Sequence, residues 1–350
     1  MEYAFGLLYT LSSAGETLAV KALNYAPVPL ILPTYTAFLS NQMWILMLPL
    51  YVYILQGKTI SITWNHMYQY VFMGILTFAV TLLRNISLNT IPGSVFSLLV
   101  STSILFNMIL TYIFLKKTFN VWHFGAAASC LSSAACIGLS ALLTKEEGVA
   151  DYTLGIPTAI AAAFFVAAIT VFQESIQKTW DDYTLRVVEI SIVSSFIAFL
   201  MILVYSIFSK ELIEWKPSID ASTQTKEGLI LVISISILLP VLKLITRNSK
   251  YSTIQHSNAF FFEFVQSSGS LLTSIASILI FKESWGPAYI AAFFLLSIAF
   301  AMYSKAKLVA KAQIKAEQKT TSKHTIKDQV SVVNPINHKE ATIEVTVTWK

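Results

Sequence analysis

The stretch IPGSVFSLLVSTSILFNMILTYIFLKK, residues 91–117, decides the fold of this chain. It starts close to a Pro-Gly pair, continues through apolar and small residues, and ends on two lysines. An apolar helix of about 20 residues is long enough to cross the hydrocarbon core of a bilayer. Ser101, Ser103 and Asn107 lie in its middle, where a membrane offers polar side chains no water. The stretch is therefore predicted to be a transmembrane helix with a polar centre.

A second copy of this pattern lies at residues 257–283, SNAFFFEFVQSSGSLLTSIASILIFKE. At a constant offset of 166 residues, Ser101 aligns with Ser267 and Leu105 aligns with Leu271. Internal repeats with interrupted helices at corresponding positions are typical of membrane transporters. The pattern therefore predicts two related halves.

The composition also indicates a membrane protein. Of the 350 residues, 55% are hydrophobic and 12% are charged, whereas about a quarter of the residues in a soluble globular protein are charged. The net charge of +5 comes from the tail 305–350, which holds nine lysines and four acidic residues. A basic tail beside an anionic cytoplasmic leaflet accounts for this charge better than nucleic-acid binding does. The predicted partner is therefore the lipid bilayer, and no nucleic acid is expected.

The chain is predicted to be an all-α polytopic membrane protein with ten transmembrane helices. Five of them belong to a first repeat, residues 1–148, and five to a second, residues 149–304. The tail 305–350 is polar and aperiodic, and it is predicted to be disordered. The predicted spans are 3–23, 29–55, 67–87, 92–115, 121–143, 153–173, 187–208, 228–246, 254–281 and 285–304.

Both termini are predicted to be cytoplasmic, because an even number of spans returns the chain to the same side. Five lysines in residues 305–319 follow the last span directly, and positively charged residues favour the cytoplasm. The links between spans add seven basic residues on that side, including Arg247 and Lys250, against five on the other. The tail therefore decides the predicted orientation.

The fifth and tenth spans differ from the others, because they are rich in small residues and carry no acidic or basic side chain in their apolar centres. Small residues allow two helix backbones to approach closely in lipid. These spans are predicted to pack tightly, either within one chain or between two copies as a homodimer. The small residues are Gly125, Ser129, Ser133 and Ala134 in the fifth span, and Ala288, Ala291, Ala292 and Ala299 in the tenth.

The sequence contains no motif for catalysis or cofactor binding. A phosphate-binding glycine loop, a nucleophile elbow and zinc-ligand spacings are all absent. The two cysteines, Cys130 and Cys136, lie in one apolar span and predict neither a disulfide nor a metal site. The prediction is therefore a protein that is not an enzyme and needs no cofactor.

Polar and ionisable side chains inside the apolar spans are the candidates for solute binding. A charge in hydrocarbon costs several kcal/mol, so each one needs a partner or a water-filled cavity. A buried structural pair, a side chain that reaches the interface from a span end and a hydroxyl bonded to its own helix are the alternative interpretations. The candidates are Glu16, Lys21, Gln42, Arg84, Ser101, Ser103, Asn107, Glu189, Lys243, Glu263 and Gln266.

Glu16 and Glu263 have a further interpretation. Desolvation disfavours the charged form of a carboxylate, so either group is a candidate for proton uptake and release. Coupling of solute movement to protons is compatible with this interpretation.

The charged turns before the fifth and tenth spans resemble those of the drug/metabolite transporter superfamily. They read FLKKTFNVWHFGAA at 114–127 and IFKESWGPAYIAAF at 280–293, with Glu283 at the frequent acidic position and Lys117 in place of the acid. The stretches LAVKALN at 18–24, STSILFNMILTYIFLKKTFNVWHFGA at 101–126 and the run from Phe172 to Tyr205 are similar to the chloroquine-resistance-transporter-like branch. The nucleotide-sugar transporter branch is the second resemblance.

The resemblance implies an inverted repeat around a central cavity. The first four spans of each half would line the cavity, and the fifth and tenth would lie outside at a packing or dimer face. It also implies secondary transport by alternating access. The solutes would be small organic molecules crossing a vacuolar or lysosome-like membrane, or nucleotide sugars exchanged for nucleotides in the Golgi or the endoplasmic reticulum.

The residues leave the charge of the solute open. A phosphate-bearing solute would need basic groups, and Lys21, Arg84 and Lys243 qualify. A cationic solute would need Glu16 and Glu263. A non-transporting membrane scaffold is the remaining alternative, and it predicts polar residues that scatter between helices rather than converge on one cavity.

Overall fold

The protein is all-α throughout the part of the chain that the computed structural model describes. Short turns and caps join the helices there, and no strand is present in that part. The predicted all-α class is therefore confirmed. The described residues are 2–24, 32–55, 66–91, 96, 99–143, 152–177, 183–281, 287–288 and 290–309.

The helices follow the predicted spans closely over most of the chain. In order they are α1 (Glu2–Asn24), α2 (Pro33–Asn41), α3 (Met43–Leu55), α4 (Met67–Thr90), α5 (Ser103–Leu115), α6 (Val121–Leu143), α7 (Tyr152–Gln177), α8 (Tyr183–Phe208), α9 (Glu211–Ser222), α10 (Lys226–His256) and α11 (Ala259–Phe281), followed by α12 (Ile290–Val309).

Several helices are long and apolar enough to cross a membrane. Within the described residues there are five, together with the shorter apolar helix Leu99–Leu115. Large apolar side chains such as Phe114, Phe208 and Phe294 are exposed, and in a bilayer such side chains face lipid. The chain is therefore an integral, multi-pass membrane protein, and the count of ten spans stays a prediction. The five long helices are Met67–Thr90, Thr153–Gln177, Val187–Phe208, Lys226–His256 and Ile290–Val309.

Helices of one predicted half pack against helices of the other half. Met1–Tyr303 forms a first compact unit, and residues 310–350, which are predicted to be disordered, lie outside the part of the chain that the structure describes. In the first unit, α1 packs against α10 and α11, while α4 packs against α7 and α8. The first-half helices α1 and α4 thus share their main contacts with second-half helices, and a cavity lies between them.

The eighth span is longer than predicted. The sequence predicts an end at residue 246, but α10 continues to His256. Its added turns carry Arg247, which binds the hydroxyls of Ser194 and Ser195, and Lys250, which donates to Thr170. The polar residues after position 246 do not end the helix, because side chains of other helices form hydrogen bonds with them. The prediction that Arg247 and Lys250 belong to a cytoplasmic link is therefore wrong.

Two predicted spans are interrupted at polar residues. The second divides into α2 and α3 at Gln42, whose backbone N–H donates to the carbonyl of Leu39, three residues back. The fourth is interrupted at Thr102, whose backbone N–H donates to Leu99 in the same way. These tightened turns release backbone groups from the regular helical pattern, and they place the break of the fourth span at its polar centre.

The longest predicted link, residues 209–227, contains the helix α9. Thr34 on α2 donates its hydroxyl to the Glu211 carboxylate, and the Trp215 indole N–H donates to the Thr34 hydroxyl over 3.1 Å. Trp215 is buried against Tyr35 and Phe38. One polar and one aromatic cluster therefore hold α9 against α2.

The fifth and tenth spans pack against each other within the chain. The Ser133 hydroxyl on α6 donates to the Ala292 carbonyl on α12 over 2.7 Å. A Cβ atom at Gly125 would lie 3.1 Å from the sulfur of Met302, so the small residue permits the close approach. Tight packing inside one chain is therefore confirmed, and a homodimer through these spans stays a prediction.

The charged turn at the end of α5 is held by a second-half carboxylate. Lys117 forms an ion pair with Glu174 near the end of α7. The other Glu174 oxygen accepts the backbone N–H of Ala259, the first residue of α11, over 3.0 Å. A carboxylate at a helix N-terminus is favourable, because the N–H groups there have no partner in the helix. Glu174 thus ties three helix ends together.

Candidate solute-binding cavity

A cavity of about 160 Å³ lies within the first unit. Side chains from α1, α4, α7, α10 and α11 form its wall, with Phe96 and Val100 completing it. An apolar cavity of about 150 Å³ in another protein binds a benzene molecule. The cavity therefore has the size of a small ring compound and is well below the usual volume of a site for a drug-sized ligand.

Glu16 is the centre of the charged part of the wall. Its side chain is 3% exposed. One carboxylate oxygen, Oε1, accepts Arg84 Nη1 over 3.1 Å and Lys243 Nζ over 3.0 Å. The other Arg84 nitrogen donates to the Thr17 hydroxyl. Glu16 thus connects α1 with α4 and α10, and one of its oxygens balances two cations.

Two polar atoms in the wall have no hydrogen-bond partner among the described residues. They are Oε2 of Glu16, an acceptor, and Nε2 of Gln173, a donor. Both residues line the cavity. Leaving a buried polar group without a partner costs free energy. Glu16 and Gln173 therefore each hold one polar atom beside the cavity whose hydrogen-bonding capacity is unused among the described residues.

Arg247 and Lys250 add two further cations to the wall. Arg247 donates to Ser195 over 2.7 Å and to Ser194, and its guanidinium lies 5.8 Å from the centre of the Tyr251 ring. Lys250 donates to Thr170 over 3.1 Å and lies 4.9 Å from the Phe262 ring centre. Both cations are therefore held by neutral hydroxyls and aromatic faces.

Aromatic rings complete the wall. Tyr9 from α1, Phe96 and Tyr251 from α10 all line the cavity. The position of Tyr9 is supported by Phe262, at a ring-centre distance of 4.6 Å, and by a 3.4 Å bond from its hydroxyl to Gln266. A planar ring compound would find both stacking surfaces and polar partners here.

Glu263 is buried in a separate polar cluster that adjoins the cavity. Its Oε2 accepts the Ser103 hydroxyl over 2.5 Å and its Oε1 accepts the Asn107 amide over 3.2 Å. Thr111 donates to the oxygen of the Asn107 amide and so orients it. Gln266, a cavity residue, donates to Ser103 over 3.5 Å. The Glu263 cluster is therefore linked to the cavity through one amide.

The structure brings most of the predicted candidates together. Glu16, Arg84, Lys243 and Gln266 lie in the cavity wall, and Ser103, Asn107 and Glu263 form the adjoining cluster. Ser101 and its repeat partner Ser267 line a second, much smaller cavity of about 10 Å³. Glu189 accepts the Tyr70 hydroxyl over 2.9 Å, and neither residue is part of the described wall. Lys21 and Gln42 are not part of that wall either.

The predicted candidates leave out several polar residues of the wall, among them Gln173, Arg247 and Lys250. The last two are the basic residues of that group. A signal for these two is present in the sequence. Lys243, Arg247 and Lys250 are four and three residues apart, and this spacing places them on one face of a continuous helix. The predicted end of the helix at residue 246 hid that pattern.

Comparisons with known proteins place this chain among membrane transporters. Residues 15–313 match a protein family described as purine nucleobase transmembrane transport. This finding confirms the prediction of a transporter rather than an enzyme, whereas the drug/metabolite branch stays a prediction. No individually curated protein is significantly similar in sequence.

A solved structure described as "Crystal structure of protein" has a similar fold. It is 13% identical to this chain, with a TM-score of 0.59, over 89% of this chain and 98% of the other. At this identity the likeness concerns the fold alone.

Proposed function

The chain belongs to the purine nucleobase transmembrane transport family, and we propose that it carries purine nucleobases across a membrane by binding them in the cavity between its two halves. The observation that carries the proposal is the family match over residues 15–313. The cavity supports it independently, because its size, its rings and its unoccupied polar atoms all suit a small planar heterocycle.

The aromatic wall suits the faces of a purine. Every nucleobase has a flat π-face, and stacking on aromatic side chains contributes about 1–3 kcal/mol per base. Tyr9, Phe96 and Tyr251 supply such surfaces. A volume of about 160 Å³ holds a ring compound of this kind far more readily than a nucleotide sugar, which was the alternative solute predicted from the sequence.

The polar atoms suit the edge of a purine. A nucleobase edge carries both N–H donors and ring-nitrogen or carbonyl acceptors. The Glu16 Oε2 acceptor and the Gln173 Nε2 donor have no partner among the described residues, and both residues line the same cavity. Each atom is itself buried, so pairing with the purine edge requires a small rotation of the side chain. A site built to bond such an edge discriminates strongly against analogues that lack it, because its buried groups would stay unpaired.

The proposed mechanism is alternating access. The two repeats suggested by the 166-residue offset would rock about the cavity, as in transporters built from repeats. The pairs that join the halves here, Glu16 with Lys243 and Lys117 with Glu174, would open and close in the cycle. The proposed orientation has both termini in the cytoplasm, and labelling of single cysteines from either side of sealed vesicles tests it.

Uptake by the purified protein in liposomes tests the proposed function. Radiolabelled adenine and hypoxanthine are offered to empty vesicles and, for counterflow, to vesicles preloaded with unlabelled purine. Uptake above that of protein-free vesicles, and competition by other purines but not by amino acids or nucleotide sugars, is the expected result. The proposal is wrong if no purine is taken up or exchanged.

A matched pair of variants tests the site. Gln173→Leu removes the amide that lines the cavity, whereas Gln177→Leu removes a buried amide one turn further along α7 that also lacks a partner among the described residues but lies outside the cavity wall. Purine uptake should fall about tenfold or more for the first, which corresponds to the loss of about 1.4 kcal/mol. The second should retain uptake, and equal losses for both would remove Gln173 from the site.

A further inference from the structure

The charges of the cavity wall indicate which purines it takes. Arg84, Lys243, Arg247 and Lys250 bring four basic side chains to the described wall, while Glu16 is its single acidic residue. The wall therefore has three more basic groups than acidic ones. We propose that the cavity selects purines that carry a negative charge, the anions of oxopurines, over neutral purines. This inference rests on the proposed function and names its substrate class.

Only two of the four cations are balanced by a carboxylate within ion-pair distance. Arg84 and Lys243 share Glu16. Among the described residues, Arg247 and Lys250 have hydroxyl and aromatic partners and no carboxylate at that distance. A buried guanidinium without a counter-charge, as at Arg247, is costly, and a bound anion would supply that charge.

A second buried acid, Glu263, also acts on this region. It lies near enough to Lys250 for an electrostatic interaction. Its two oxygens, however, are occupied by Ser103 and Asn107, and the residue is not part of the described wall. Even with Glu263 included, basic groups exceed acidic groups by two. The excess of positive charge therefore does not depend on leaving this residue out.

The arrangement favours a flat anion rather than a compact one. Lys243, Arg247 and Lys250 follow one face of α10, and Arg247 lies beside the Tyr251 ring. A guanidinium presents its donors in a plane and matches a planar edge of acceptor atoms. An oxopurine anion spreads its charge over such an edge and offers its faces to the rings. A nucleotide phosphate would need considerably more room than about 160 Å³.

Competition among purines of similar size tests this proposal in the wild-type protein. Uric acid is a monoanion at neutral pH, whereas hypoxanthine and adenine are neutral. Each is offered to proteoliposomes at neutral pH with the membrane potential clamped at zero, so that the charge of the solute itself does not bias uptake. Uric acid should be taken up or should compete at least about tenfold more effectively than hypoxanthine, which corresponds to about 1.4 kcal/mol.

Charge-neutralising variants locate the preference. Arg247→Gln and Lys250→Gln should lower the ratio of uric acid to hypoxanthine uptake about tenfold. Lys226→Gln, which removes an exposed cation at the start of the same helix, should leave that ratio unchanged. Size-exclusion chromatography and melting temperature identify a variant that fails to fold, in which case the wild-type competition decides.

The outcomes separate this inference from the proposed function. Uptake of neutral purines with no competition from uric acid would overturn the inference and leave the proposed function standing. An unchanged ratio in folded Arg247→Gln and Lys250→Gln would likewise overturn the assignment to this wall. Absence of uptake for every purine, charged or neutral, would overturn both.

Discussion

Two buried carboxylates, Glu16 and Glu263, are stabilised in different ways. Glu16 is 3% exposed and accepts two cations, Arg84 and Lys243, on one oxygen. Glu263 is 1% exposed and accepts neutral donors, a serine hydroxyl and an asparagine amide, one on each oxygen. The Glu16–Lys243 bond and both bonds to Glu263 join residues of the first predicted half to residues of the second.

The difference indicates that the two carboxylate clusters have different roles. Both carboxylate oxygens of Glu263 accept hydrogen bonds from residues of its own cluster. In the Glu16 cluster, one carboxylate oxygen has no partner among the described residues, so this oxygen can still accept a hydrogen bond. We infer that Glu16 and its cations form the solute-binding part and that Glu263 supports the packing of α11 on α5.

Replacing Glu16 with glutamine should have the largest effect. The change leaves Arg84 and Lys243 without their counter-charge, and breaking a buried pair in this way costs about 3–5 kcal/mol. We expect a clearly lower melting temperature in detergent and the loss of purine uptake in liposomes. Glu214→Gln, at an exposed position of α9, is the control and should behave like wild type. A Glu16→Gln protein as stable and active as wild type would contradict this account.

Removing Lys243 as well as the Glu16 charge should recover part of the lost stability. In Glu16→Gln with Lys243→Met, one of the two uncompensated cations is gone. The single changes should therefore be non-additive, with a coupling of about 0.5–3 kcal/mol, as is usual for residues in contact. Thermal or denaturant unfolding of the two single variants and the double variant gives this coupling. Additive effects would mean that Glu16 and Lys243 do not stabilise each other in solution, despite their 3.0 Å contact.

Replacing Glu263 with glutamine should have a smaller effect than the same change at Glu16. No cation lies within ion-pair distance of Glu263 among the described residues, and glutamine keeps one acceptor oxygen for Ser103 or Asn107. The other of these two donors would face the NH2 group of the new glutamine and lose its acceptor. We therefore expect a loss of about 1.5–3 kcal/mol in stability, with uptake retained. Loss of uptake in a protein of normal stability would instead place Glu263 in the transport mechanism.

The smallest effects should come from the hydroxyls beside each carboxylate. Ser103→Ala removes a donor to Glu263, and Thr17→Val removes an acceptor of Arg84. Each should cost about 1 kcal/mol of stability, the net value of a typical hydrogen bond. Only Thr17→Val should also weaken purine binding, which competition in the uptake assay measures. Equal effects on binding would erase the proposed distinction between the two clusters.

Much of the site was predictable one residue at a time. Glu16, Arg84, Lys243 and Glu263 stand out in the sequence because a charge inside an apolar span requires a partner. Their pairing was not predictable in this way. Glu16 and Lys243 are 227 residues apart, and the sequence alone allows Arg84 to reach the membrane interface or to bind a phosphate. The sequence pattern places Arg247 and Lys250 in a link, because no local feature shows that Ser194, Ser195 and Thr170 bind them.

The sequence by itself determined that this is a helical membrane protein with polar groups inside its spans. That follows from the linear pattern, namely the length of each apolar segment, the small number of charges and the recurrence of the 91–117 pattern 166 residues later, in 257–283. Only the tertiary structure decided where α10 ends, which carboxylate balances the cations and which keeps to neutral donors. Those outcomes depend on which side chains meet across the two halves, and a linear pattern contains no distance between residues far apart in the chain.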